Sequence, residues 1–167
     1  MATGSSALTT PALDGQVLDI NVFELDDARY GIRLADTREV FRLPAITALP
    51  KAPAVIEGIV NIRGQIVPVF NLRRRFGLPE KPPTPAEHLL YASSGARMVA
   101  MRVDRVTGAA RIAATDIAST QALQGAAGIF TGVAKLDGGL VLIHDLGAFL
   151  EESEAVDLDT ALAAMKS

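Results

Sequence analysis

Residues 58–78 read GIVNIRGQIVPVFNLRRRFGL, and this stretch decides the fold class. Positions 58–62 and 65–72 are apolar, β-branched runs on either side of Arg63-Gly64, the pattern of a β-hairpin in which Gly supplies the positive φ of a tight turn. Pro68 cannot donate to a ladder, so it belongs at a bulge or on an unpaired side of its strand. The pattern returns in residues 132–150, GVAKLDGGLVLIHDLGAFL. Gly58 falls on Gly132, Ile62 on Leu136, Gly64 on Gly138, Val67 on Val141, Asn71 on Asp145 and Leu72 on Leu146, at a constant offset of 74 residues. A weaker echo sets 30–34 against 97–101. Two half-domains of similar strand order follow, because solenoid repeats are shorter, about 20 to 50 residues.

Outward from the hairpins, the chain is a succession of short β-type runs at 17–25, 30–34, 39–43, 89–92, 98–103 and 107–112, divided by Asp, Arg, Gly and Pro. Pro50 and Pro53 before 54–57, with Gly58 after, predict a single helical turn there. Residues 78–85 hold four prolines and read as a surface loop. Residues 1–15 are Ser, Thr, Gly, Ala and Pro with little to bury, which predicts a mobile arm ahead of a domain at 16–150. The acidic segment 151–167 closes in an amphipathic helix at 157–165, with Asp157 as N-cap and Leu158, Ala161, Leu162 and Met165 on its buried face.

A chain of 167 residues with 49% apolar content can build one core without metals or disulfides. The absence of cysteine excludes thiol catalysis, Cys-ligated zinc and iron-sulfur clusters. No basic start with an apolar block opens the chain and no run approaches 18 apolar residues, so the expectation is a soluble, cytoplasmic protein without membrane insertion. A net charge of −3 argues against general nucleic-acid binding. His88 and His144 lie in different segments, and His144 and Asp145, adjacent in a strand, point to opposite faces, so neither forms a catalytic dyad. Asp26-Asp27 lacks the spacing of a calcium loop. Arg73, Arg74 and Arg75 read as a solvated strand end or protein-contact rim. The rival reading is an anion or single-stranded nucleic-acid site using Arg73 to Phe76. By elimination the chain reads as a binding module, and no cofactor or metal is expected.

The block Thr37-Arg38-Glu39-Val40 followed by 56–72, IEGIVNIRGQIVPVFNL, strongly resembles the CheW family, whose usual form is G-V-x-N-L-R-G-x-I-V-P-V-x-D-L after a V-x-E-V strand. Val103-Asp104-Arg105-Val106 and the second hairpin are similar to that family's second half, so the resemblance covers 16–150. The departures are Thr37 for the usual Val, Asn71 for the usual Asp, and the acidic extension. The resemblance implies a mainly β fold of two five-stranded SH3-like barrels packed side by side, with a short C-terminal helix. It also implies a non-catalytic adaptor that couples methyl-accepting chemoreceptors to the CheA histidine kinase. The receptor hairpin tip would sit between the barrels, and a barrel end would dock on the kinase's regulatory domain. Carried over by motif position, the receptor-binding candidates are Thr37, Glu39, Asn61, Arg63 and Asp104.

Overall fold

Burial along each strand follows from how many of its faces are covered. In β3 (Thr37–Arg42) every second residue is exposed, while β7 (Arg97–Val103) is buried through its whole second half because both faces are covered. The computed structural model describes residues 17–95, 97–119, 130–137 and 139–165; the arm expected at 1–15 lies outside them. With β4 (Ile56–Ile62), β5 (Gln65–Phe70) and β6 (His88–Ser94), these strands form a five-stranded sheet ordered β3-β6-β7-β5-β4. The second sheet draws β1 (Val17–Leu25) and β2 (Ala28–Arg33) from one end of the chain. From the other it takes β8 (Arg105–Ala113), β9 (Ile117–Ser119), β10 (Phe130–Leu136) and β11 (Gly139–His144), in the order β8-β1-β2-β11-β10-β9.

The two sheets are the same unit permuted. The β4–β5 hairpin joins β7 in parallel through Val69 and Ala100, and the β10–β11 hairpin joins β2 in parallel through Ile143 and Gly31. That equivalence explains the faint likeness of 30–34 to 97–101. The sixth strand of the second sheet is the three-residue β9, and its counterpart in the first is the single bridge between Thr47 and Ile59. Gly58 and Gly132 are glycines for one reason. A Cβ would lie 2.4 Å from the Thr47 carbonyl oxygen in one barrel and 2.7 Å from that of Ala118 in the other. Pro68 faces Ile59 on β4, while the ladder to β7 takes only Val69 and Phe70, so its missing N–H disturbs no pairing on that flank.

Burial divides into three cores. Val60, Ile62, Val67, Val69, Leu89 and Ala100 fill the first barrel, and Ile20, Val22, Ile112, Ala134, Val141 and Ile143 fill the second. The largest cluster is shared between them and includes Phe23, Tyr30, Phe70, Met101 and Phe149, with the Phe70 and Phe149 rings stacked at 4.0 Å. Neither barrel buries that surface without the other, which makes the pair one folding unit.

Four local expectations change. The helical turn at 54–57 stops short: Ile56 N–H closes a turn on the Pro53 carbonyl, and the chain then extends into β4 because Ile56 pairs with Phe70 and the Val55 carbonyl accepts from Asn71 N–H. The three arginines do not end a strand; they form the helix α1 (Leu72–Phe76), capped by the Asn71 side chain and closed by Gly77 at φ 75°. Asp145 likewise leaves its strand and caps the short turn Leu146–Ala148. The terminal helix α2 (Glu152–Met165) begins five residues before Asp157, since the Glu154 carboxylate accepts the Glu151 N–H in the manner of a capping box and acids suit that end of the dipole. Leu158 and Ala161 are buried and Leu162 half-buried, while Met165 is exposed.

Candidate functional site

The β4–β5 turn carries Arg63 at φ 51° and Gly64 at φ 87°, two left-handed residues between the paired Ile62 and Gln65, as a type I′ hairpin requires. Asn61 supports the turn, its Oδ1 accepting the Gly64 N–H at 2.8 Å. From this tip Arg63 Nη2 donates to Glu39 Oε2 at 2.7 Å. Glu39 lies on β3 and Arg63 at the end of β4, the two outermost strands of the sheet, so the ion pair spans the barrel seam where no ladder runs. The side chains are 65% and 40% exposed. The hydrogen bond from Arg63 holds the Glu39 carboxyl below its ordinary range, and Glu39 in turn raises the guanidinium. The guanidinium carbon also lies 5.6 Å from the Phe41 ring centroid. Thr37, two residues before Glu39 on β3, reaches the Arg33 carbonyl at 3.5 Å. A groove of about 460 Å³ flanks the same hairpin, lined by Ile66, Val67, Pro68, Met98 and, from α2, Leu162.

Asp104 stands elsewhere. It accepts the Asp26 N–H at 2.8 Å and both oxygens receive Arg73 Nη2, at 2.9 and 3.0 Å, while Arg73 Nη1 donates to Asp26 at 2.9 Å. The Arg73 side chain is only 5% exposed. Burial disfavours the charged form of Asp104, but the Asp26 N–H and Arg73 outweigh it and hold the carboxyl below its usual value. This junction ties α1 of the first barrel to the β1–β2 turn of the second. Glu39, Arg63 and Asn61 are thus brought together with Thr37 on the same strand, and Asp104 is not among them.

The remaining arginines of the run are also engaged internally, Arg74 with Glu80 and Arg75 with Glu154 of α2. Each arginine of the run thus has a carboxylate partner within the chain, and Arg74 keeps the most exposed of these pairs, at 46%. A second network escaped sequence reasoning: Arg102 donates to Glu57 at 3.1 Å, to Glu87 at 2.9 Å and to the Lys81 carbonyl. Its members are 15 to 45 residues apart and no local pattern marks them. His144 is packed between Phe76 and Phe149. Among the described residues no group of three or more His, Asp or Glu could hold a metal ion, and no helix is long and apolar enough to cross a membrane.

The model of the CheW-like domain matches residues 19–154. The chain belongs to the CheW-like domain family. Chemotaxis protein CheW of Rhizobium meliloti is 25% identical over 141 residues, covering 82% of this chain and 91% of that protein. A shorter match to chemotaxis protein CheW of Treponema pallidum is 35% identical over 69 residues, 41% of each chain. The crystal structure of the scaffolding protein TtCheW from Thermoanaerobacter tengcongensis superposes with a TM-score of 0.76 at 28% identity, covering 83% of this chain and 96% of that one. The CheW-like fold of two SH3-like barrels is therefore common to both, and the chain is a CheW-like chemotaxis scaffold.

Proposed function

We propose that this scaffold couples methyl-accepting chemoreceptors to a CheA-type histidine kinase without catalysing a reaction, and that the receptor hairpin tip is read by the Arg63–Glu39 pair with Thr37 and Asn61 beside it. The observation that carries the reading is the exposed ion pair at the hairpin tip. It joins the only two members of the candidate set able to offer both a strong donor and a strong acceptor to a partner, beside an apolar groove. Asp104, committed to Arg73, serves the joint between the barrels. In this reading residues 16–150 carry the coupling, residues 151–167 brace it, and the protein works in the cytoplasm under receptor arrays.

The test is parallel titration of Arg63→Glu and Glu39→Arg with a receptor hairpin fragment and with the kinase regulatory domain, after checking each melting curve. Both variants are expected to melt with the parent, to lose more than about tenfold in receptor affinity, and to keep kinase affinity. Unchanged receptor affinity in Arg63→Glu refutes the site, and a parent chain that binds neither fragment refutes the coupling role.

A further inference from the structure

We propose that Phe41, backed by Tyr91, is a positioning residue that orients the Arg63 guanidinium for its partner, an inference that rests on the receptor-coupling reading above. Arg63 projects from a turn into solvent, where a long side chain samples many rotamers. A carboxylate contact in water is weak and screened by salt, so Glu39 alone is a poor restraint. The Phe41 ring adds what an ion pair lacks. A planar guanidinium rests on an aromatic face and keeps its edge N–H groups directed outward, which an ammonium cannot do.

The ring is itself held. Phe41 packs on the core of the first barrel, and its neighbour Tyr91 lies 6.3 Å away between centroids, tilted by 54°. Tyr91 is the direct cross-strand partner of Glu39. Its hydroxyl donates to Gln65 Oε1 at 3.5 Å, and Gln65 follows Gly64 on the far side of the Arg63 turn. Arg63, Phe41, Tyr91 and Gln65 therefore form a closed circuit from the hairpin tip through β3 and β6 and back to the hairpin. The consequence is preorganisation: the ordering of Arg63 is largely complete before a partner arrives, so less affinity is lost to it on binding.

The experiment uses the full chain. In the wild type, the side-chain proton resonances of Arg63 are expected upfield of an unstacked arginine because of the Phe41 ring current. Phe41→Leu is expected to return them toward the unstacked position and to weaken a receptor hairpin fragment by about two- to fivefold. Phe41→Tyr should keep both signals, and Phe41→Leu should cost nothing further in an Arg63→Lys background. Where Phe41→Leu does not fold, Phe41→Met carries the same comparison. Arg63 resonances and affinity both indifferent to Phe41→Leu overturn the proposal, as does an equal loss of affinity in the Arg63→Lys background. Failure of the wild type to bind the fragment overturns the coupling reading instead, and with it the role of Phe41, while leaving the resonance shift to be observed.

Discussion

Asn71 and Asp145, 74 positions apart in the chain, do the same work in the two barrels. Asn71 Oδ1 accepts the Arg74 N–H at 3.0 Å and Asp145 Oδ1 accepts the Gly147 N–H at 2.9 Å, each just after the second strand of its hairpin. The residue at which this chain departs from the family's usual Asp is thus 7% exposed and turned inward. Replacing either cap by Ala is expected to cost about 1 kcal/mol in urea denaturation. Asn71→Asp should preserve the cap and leave receptor affinity unaltered; a changed affinity would show that position 71 reaches the partner surface.

Gly58→Ala and Gly132→Ala are each expected to destabilise by about 1 to 3 kcal/mol, since the new methyl meets a backbone carbonyl oxygen that cannot rotate away. Gly64→Ala acts differently. It has open space around it but sits at φ 87°, so its cost should be backbone strain of about 1 kcal/mol. Thermal melts of the three variants distinguish these outcomes from neutrality.

The Asp104 carboxyl is held below its ordinary 3.8 in the folded state, burial being outweighed by the Asp26 N–H and Arg73. A depressed folded value means that ionised Asp104 stabilises the fold fully above the unfolded pKa, and that this contribution fades as pH falls through the folded one. The gap in unfolding free energy between wild type and Asp104→Asn is therefore expected to be widest at neutral pH, about 1 to 3 kcal/mol, and to close in acid. Glu57 has the opposite sign. Burial raises its carboxyl above 4.5 despite Arg102, so its contribution is present in acid and declines as pH rises through that folded value. A series of urea titrations from pH 7 to pH 3 on both Asp104→Asn and Glu57→Gln tests the two signs.

Truncation after Leu150 is expected to destabilise by about 2 to 4 kcal/mol, from the lost burial of Leu158 and Ala161 less the ordering of the helix. Arg75 and Arg97 would also lose their partners Glu154 and Asp159. A truncated chain that melts with the parent would mean that α2 adds nothing to the shared core.

The hairpins and their duplication were legible because a two-residue turn between alternating runs is local, and the repeat doubled the signal. The permuted assembly of the second sheet was legible only as the faint 67-residue echo between β2 and β7. Burial of Arg73 was not legible: its partners Asp26 and Asp104 are 47 and 31 residues distant, and three adjacent arginines resemble a solvated rim. The start of α2 is not legible because Asp157 is the better N-cap residue by type, whereas Glu151 gains its place through the Glu154 carboxylate that accepts its N–H. Glu39 and Arg63 became candidates through the family's ordered motif; their pairing across the seam is a product of the fold.

Because β1 ladders with β8, Val17 standing opposite Ala113, the two barrels differ in how early they can exist. The first is drawn from one unbroken stretch of chain, so its contacts are comparatively short in sequence. The second cannot close until β8 to β11 join the β1–β2 hairpin, whose two outer edges have no partner nearer in sequence. Folding is accordingly expected to proceed from the middle of the chain outward, with the half bearing Arg63 formed first and the two ends joined last.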